Sequence, residues 1–233
     1  MNDQPEEGAI EPYPTDQGAG DWVHGVAKGA LSGVPFAGGV LAEVTSLLWT
    51  PRLQKRRDEW LQDLAETVEN LRQKYDDIAE RLDDDAVLTV AVRAARAAAS
   101  THEEEKRKAL RNAVLNSALR VEPDIQIQQI LTELIDRLTE AHLQMLAFVA
   151  DPSGWYERNG LEKPSLTMGS VSALLEKAFP RWNKEFYRLI ADDLVRLGLM
   201  NDNLNTIMTG AGVWGNQATG LGRRLLRFIT EPE

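Results

Sequence analysis

The strongest constraint on the fold is a repeat of apolar residues in the second quarter of the chain. Seven side chains are separated by alternating steps of three and four: Leu61, Leu64, Val68, Leu71, Tyr75, Ile78 and Leu82. This spacing predicts one amphipathic, heptad-patterned helix from Pro51 to Leu82, roughly 48 Å long at about 1.5 Å per residue. Three heptads are compatible with an oligomeric coiled coil or a long antiparallel bundle helix, and the bundle is the more common arrangement.

The chain after this helix predicts further helices up to residue 150. An alanine-rich helix is expected from Ala86 to Ser100, with the aspartates at 83–85 as caps of the right charge. The next helix is expected to end at about Arg120, and the one after it to run from Asp124 to Ala150. The predicted fold is therefore mainly α, a multi-helix bundle.

The sequence before the helix that ends near Arg120 has features that favour a helix start. Ser100 and Thr101, followed by Glu103 and Glu104, have capping-box spacing. Two pairs of oppositely charged residues, each with the acid four residues before the base, favour a helix here. They are Glu103–Arg107 and Glu104–Lys108.

Residues that carry chemistry are few. The chain has no Cys, which excludes disulfides, thiolate zinc sites and cysteine nucleophiles and suits a reducing cytoplasm. The three histidines, His24, His102 and His142, form no metal-binding motif, and a lone helical histidine such as His142 is more often packed than ligating. The glycine-rich run near Gly210 lacks a phosphate-binding lysine. We predict that this protein is not an enzyme and that it has no catalytic residue, no cofactor and no metal site.

A glycine-rich apolar segment precedes the heptad helix. It contains Gly25, Gly29, Gly33, Gly38 and Gly39. Glycines on one helix face let another backbone approach closely. Pro35 interrupts the segment, and the uncharged run from Gly29 to Ala42 is 14 residues, short of the ~20 that a spanning helix needs. We expect a helical hairpin over residues 22–50 that serves membrane interaction or self-association, not a transmembrane helix.

Basic side chains follow this hairpin at once: Arg52, Lys55, Arg56 and Arg57. Such a flank is typical where an inserting element meets an anionic leaflet. The alternative is that the hairpin packs on the long helices and the basic residues form a solvated first turn, which we favour at rest. The two interpretations are compatible if the hairpin is covered at rest and a trigger releases it.

The last seventy residues have the element order of a winged-helix unit. We expect helices over 171–179 and 181–197, with Gly198 as the C′ residue of the second, then a small hairpin around residues 210–212 and a terminal helix. The run Leu197-Gly198-Leu199-Met200, with Thr219 and Gly222, is similar to the GL-(I/M)…T-x-x-G pattern of winged-helix regulators.

The charge balance argues against nucleic acid as the partner. The net charge is −10, and residues 151–233 carry ten basic and ten acidic side chains. Nonspecific DNA binding relies on an excess of Lys and Arg. Four basic residues are candidates for phosphate or partner contact: Arg181, Lys184, Arg188 and Arg196. Because acids are interleaved among them, a protein contact is the favoured interpretation and DNA binding by a regulator the alternative.

Taken whole, the chain resembles a set of uncharacterised bacterial all-helical proteins, loosely similar to abortive-infection and phage-defence accessory proteins. The stretches that carry the resemblance are the glycine-rich start, RRDEWLQDLAETVENL, EEKRKALRNAVLNS, LTEAHLQMLAFVADP and LGRRLLRFITEP. The resemblance implies a role in defence or cell death, and it assigns no functional residue.

These observations predict a domain organisation. A disordered acidic tail over 1–21 precedes a helical bundle over 22–150, a linker over 151–164 and a winged-helix-like unit over 165–233. The expected location is the cytoplasm, with peripheral or inducible association with the inner membrane. The expected partner is a second copy or another protein.

The glycine hypothesis leads to a test. Replacing Gly29 and Gly33 together by Leu should abolish membrane association or toxicity, because bulky side chains prevent close backbone approach, while the bundle stays folded. Liposome flotation and dye leakage measure the first effect, and circular dichroism checks the fold. A double variant as active as wild type would make the hairpin scaffolding.

Overall fold

The computed structural model describes residues 51–82 and 84–232, and this part of the chain is mainly helical. The predicted acidic tail and the glycine-rich hairpin lie outside the described residues. In chain order the helices and strands are α1 Pro51–Arg72, α2 Ile78–Arg81, α3 Asp85–Ser100, α4 Glu104–Ala118, α5 Ile125–Arg137, α6 Glu140–Ala150, α7 Pro152–Arg158, β1 Met168–Gly169, α8 Val171–Ala178, α9 Lys184–Arg196, β2 Met208–Thr209, α10 Gly210–Val213 and α11 Gly220–Ile229.

The apolar repeat forms a buried stripe, but it does not lie on one helix. Its members are buried except for Tyr75, which packs partly exposed against the core. The prediction of a continuous helix to Leu82 is wrong, because α1 ends at Arg72 and α2 begins at Ile78. The backbone amides of Lys74 and Tyr75 both donate to the Leu71 carbonyl, closing a turn there. The turn keeps later apolar residues on the core side, so burial alone did not require a straight helix.

The helix expected over 124–150 is likewise two helices. Leu138 adopts an extended conformation between α5 and α6, while its side chain is 1% exposed. Thr139 then caps α6 in a capping box with His142, whose Nδ1 accepts from the Thr139 backbone amide at 3.2 Å. The buried leucine turns the chain and the cap restarts the helix.

The local signals before α3 and α4 have mixed outcomes. Asp84 caps α3 by accepting from the Ala86 amide at 3.0 Å, as expected. The capping box expected at Ser100 and Thr101 is wrong. The Ser100 hydroxyl donates to the Ala97 carbonyl of α3, and the Thr101 hydroxyl accepts from the Glu103 amide, while the helix begins at Glu104.

Of the two expected ion pairs on α4, one is present. The Lys108 Nζ lies 3.2 Å from the Glu104 carboxylate. Within the described residues the Glu103–Arg107 pair does not form, since Glu103 instead accepts from the backbone amide of Glu140 on α6.

The stretch 151–160, expected to be linker or loop, begins with α7. Asp151 caps this helix by accepting from the Gly154 amide at 2.8 Å, an interaction that lowers the pKa of the Asp151 carboxyl. Tyr156 is 1% exposed and donates to the Leu174 carbonyl on α8 at 2.8 Å. The hydrophobic core is therefore continuous from α1 to α11 across the expected linker, and the division into two folding units stays a prediction.

Helix α4 lies at the centre of this core. It packs against α1, α3, α5, α6 and α11, and every residue from 109 to 118 is buried. Its polar side chains reach neighbouring helices. Arg111 donates two bonds to the Asp63 carboxylate on α1 at 2.9 and 3.0 Å, and Ser117 donates to Gln128 on α5 at 2.5 Å.

Two asparagines of α4 hold the carboxyl end of α11. Asn112 donates to the Ile229 carbonyl at 2.9 Å, and Asn116 donates to the carbonyls of Phe228 and Thr230 at 2.9 and 2.7 Å. The last carbonyls of a helix have no partner within it, so these amides satisfy groups that would otherwise be buried without one.

Replacing Asn116 by Ala should lower the free energy of unfolding by about 2 kcal/mol, because it leaves buried carbonyls unsatisfied. Urea unfolding monitored by circular dichroism measures the change. The matched control is Asn159→Ala, since Asn159 makes an exposed bond to the Trp155 carbonyl and its loss should change stability by less than about 0.5 kcal/mol. Equal effects of the two substitutions would contradict this role of Asn116.

Candidate interaction surface on helix α9

The predicted membrane-side residues have only partial access to solvent. Arg52 and Lys55 are exposed, and the Lys55 side chain is 77% exposed. Arg57, in contrast, is 7% exposed and binds the Asp58 carboxylate at 2.7 Å. Arg56 is half-buried, and its carbonyl accepts from Arg107. The assignment of Arg57 to headgroup contact conflicts with this burial, so the solvated part of the cluster is formed by the other side chains.

The predicted hairpin near the C-terminus differs from the structure. Its glycine turn lies in the short helix α10, and β2 pairs antiparallel with β1 upstream of α8, matching Met168 with Thr209. The flanks of the expected hairpin meet at one antiparallel bridge between Met200 and Ala218. The stretch between them is therefore longer and more structured than a simple turn.

Helix α9 is bounded by well-formed caps. Asn183 accepts from the Phe186 amide at 2.8 Å at its start. The helix begins three residues later than expected from Arg181, and the expected C′ residue Gly198 is confirmed, with φ of 70°. The Leu199 amide donates to the Leu194 carbonyl, the long bond of a Schellman motif.

The Thr219 and Gly222 pair joins α11 to the end of α9. The Thr219 hydroxyl donates to the Gly198 carbonyl at 2.6 Å and accepts from the Gly222 amide at 3.1 Å. A Cβ on Gly222 would lie 2.1 Å from the Leu199 carbonyl oxygen. The T-x-x-G pattern thus combines a helix cap, Thr219, with a position that has no room for a side chain, Gly222. Its role here is packing.

One face of α9 is buried and the opposite face is exposed. The buried residues are Tyr187, Ile190, Ala191 and Leu194, and the Tyr187 hydroxyl donates to Glu176 at 2.7 Å. The exposed face carries an apolar centre, since Leu189 is 57% exposed and Phe186 is 37% exposed. Phe186 contacts Trp182 edge-on, and Trp182 stacks on Phe179 with ring centroids 4.1 Å apart, which ties the surface ring to the core.

The charges around this apolar centre are mixed. The four predicted basic residues, Arg181, Lys184, Arg188 and Arg196, are all exposed, and the last three lie on α9. Exposed Glu185 and Asp192 lie between them, and Arg196 binds Asp193 at 3.1 Å. The surface is therefore neither continuously basic nor continuously acidic. We name the exposed side chains of Glu185, Phe186, Arg188, Leu189, Asp192 and Arg196 the α9 face.

A groove of about 260 Å³ borders the α9 face. It lies between α9 and the loop after Met200. Its charged lining consists of Arg188, Asp192 and Asp202.

His142 fastens α9 to α6. It is 8% exposed, and its Nε2 lies 3.5 Å from the Asp193 carboxylate. Burial lowers the pKa of His142, and the Asp193 carboxylate only partly offsets this effect. The expectation that His142 is a packed residue is confirmed. No group of three or more potential metal ligands occurs within residues 51–82 and 84–232.

The same described residues contain no helix with the length and apolar character needed to cross a bilayer. Comparison with models of known families, with curated proteins and with solved structures finds no match for this chain.

Sequence reasoning found the basic residues of α9 but missed the apolar part of its exposed face. A signal was present, because Phe186 and Leu189 fall three residues apart and outside the buried stripe of Tyr187, Ile190 and Leu194. Two apolar residues on the polar side of an amphipathic helix predict a small exposed apolar patch.

The junction of α9 and α11 can be tested with a pair of glycines. Gly222→Ala should lower the free energy of unfolding by roughly 2 to 3 kcal/mol, because the added methyl group meets the Leu199 carbonyl. Gly220→Ala is the control, since a Cβ there has no neighbour within 4 Å. Chemical unfolding of both variants measures the difference, and a Gly222 variant as stable as the Gly220 variant would disprove the close contact.

Proposed function

We propose that this protein is nonenzymatic and acts by association, with a winged-helix-like C-terminal unit that presents the α9 face to another protein molecule. The helix order α8, α9 and α11, together with the Met200–Ala218 bridge, supports the winged-helix-like description. Helix α9 then occupies the position that a recognition helix takes in such units.

The observation that carries the proposal is the exposed apolar centre of the α9 face. Leu189 at 57% and Phe186 at 37% exposure are large side chains that gain free energy when a partner covers them. Contact surfaces combine such apolar residues with a polar rim, which Glu185, Arg188 and Asp192 supply here. The caps at both ends of α9 hold this face in a fixed conformation, which reduces the entropic cost of binding.

Membrane association belongs to the proposal through the glycine-rich hairpin of residues 22–50. The exposed Arg52 and Lys55 at the start of α1 are available to lipid headgroups or an acidic partner. In combination, the hairpin would recruit the protein to the inner membrane and the α9 face would bring copies or partners together. The resemblance to abortive-infection proteins makes bacterial defence or cell death the proposed setting.

DNA binding is the competing function of a winged-helix-like unit. Acids on the α9 face would lie against phosphates, and burying them there without partners is costly. A gel shift with duplex DNA at low and high salt separates the two functions. We expect no shift at low salt, whereas a shift that weakens steeply with salt would establish phosphate contact.

The proposal predicts that Leu189→Glu abolishes toxicity or phage protection in cells, because a charge replaces the apolar centre of the contact. The matched control is Ile130→Glu, since Ile130 is a 45% exposed apolar residue on α5. Survival and plaque assays measure function, and circular dichroism with thermal unfolding confirms that both variants fold. Full activity of the Leu189 variant would refute the α9 face as the functional surface.

A further inference from the structure

The charges on the α9 face have an order that specifies a partner. Along the helix they read Glu185, Arg188, Asp192 and Arg196, so the sign alternates at every step. Successive residues turn by about 100° in a helix with 3.6 residues per turn. On this basis all four charges lie on the same side of Leu189, and Phe186 lies on the other side.

We infer that the partner of the α9 face is the α9 face of a second copy of this chain, packed antiparallel across a two-fold axis. This inference rests on the proposed function and names the partner of that surface. A two-fold axis brings the same patch of both molecules together, so each contact between two different residues occurs twice.

The register follows from the charges. With the axis between positions 190 and 191, Glu185 lies opposite Arg196 of the second copy. Arg188 then lies beside Asp192 of the second copy. Both contacts repeat by symmetry, which gives four attractive pairs. A parallel two-fold arrangement would turn the charged row of one copy toward the Phe186 side of the other, so none of these four pairs would form.

The apolar part of the face fits the same arrangement. Leu189 lies near the axis, so the leucines of the two copies become neighbours and each removes the other from water. Leu189 is the more exposed of the two apolar residues, at 57%. The pairing therefore has an apolar centre bordered by one row of ion pairs, as in antiparallel helix pairs.

The charged residues are available for such a contact. Within the described residues, Glu185, Arg188 and Asp192 form no ion pair. Arg196 binds Asp193 at 3.1 Å, but its side chain is 74% exposed, and exposed pairs of this kind exchange at little cost. The groove beside Asp192 is also lined by Asp202, so the second copy's Arg188 would meet two carboxylates.

The test uses charge reversal in the full-length chain. Arg188→Glu places an acid against Asp192 of the other copy, and Asp192→Arg places a base against Arg188, so each variant alone should dimerise about tenfold more weakly than wild type. An equimolar mixture of the two variants should regain the wild-type dissociation constant, because every pair in the mixed dimer is attractive. Sedimentation equilibrium measures these constants, and Arg137→Glu is the control that should leave them unchanged, because Arg137 is an exposed residue on α5, outside the α9 face.

The absence of Cys from the chain provides a second measurement. Leu189→Cys should form a disulfide-linked dimer under mild oxidation, whereas Ile130→Cys, on a surface outside the α9 face, should not. This readout responds to the α9 contact even if the glycine-rich hairpin also associates.

The outcomes separate this inference from the proposed function. A monomeric wild-type chain, or single variants that dimerise as tightly as wild type, overturns the antiparallel pairing. If Leu189→Glu still loses cellular activity in that case, the α9 face binds a different protein and the proposed function stands. If Leu189→Glu is active as well, both proposals fall. Recovery only in the mixture supports the pairing.

Discussion

The structure depends on a buried helix whose polar side chains require partners. Helix α4 is buried along its whole second half, yet it carries Arg111, Asn112, Asn116 and Ser117 there. A buried polar group without a hydrogen bond costs more than a satisfied one returns, so the neighbours of α4 have little freedom of position. Apolar packing alone would allow several arrangements of α1, α5 and α11 around it. The hydrogen bonds of α4 select one.

This selection extends to the surface that we propose to be functional. The asparagines of α4 fix the carboxyl end of α11, while Thr219 and Gly222 fix its amino end against the turn that follows α9. Glu122, after α4, binds Arg224 on the outer side of α11 at 3.3 Å. Helix α9 is in turn held on α6 through His142 and Asp193. The exposed side of α9 is thus supported from the core outward, and a fixed helix face suits recognition of a partner with matching charges.

Much of this fold could be predicted from local patterns, and the misses share a physical origin. The heptad stripe, the Asp84 cap and the C′ role of Gly198 depend on spacing and on single residues, which a sequence displays directly. The breaks at residues 73–77 and at Leu138 do not interrupt the apolar period, so periodicity could not reveal them. The helix at 152–158 was not predicted because it contains Pro152 and Gly154 and is followed by Asn159 and Gly160, although Asp151 followed by Pro152 is a typical helix start.

The candidate surface was predictable only in part for a related reason. Basic residues on α9 were visible, but their significance depends on which side of the helix the core covers, and that is decided by contacts with α6. The asparagines of α4 illustrate the same limit, since their partners are carbonyls more than a hundred residues away. Backbone acceptors have no signature in the sequence.

The distance along the chain between α4 and α11 also sets an order of assembly. Asn116 and Phe228 are 112 residues apart, whereas α1, α3 and α4 meet through short connections and can associate early. At ~5 to 20 residues per second, a ribosome needs roughly 5 to 20 s to make the chain between them. Throughout that interval the side-chain amides of Asn112 and Asn116 lack their carbonyl partners on α11 and stay hydrated. The core of the nascent chain is therefore incomplete, and α9 acquires its full support only after α11 has been translated.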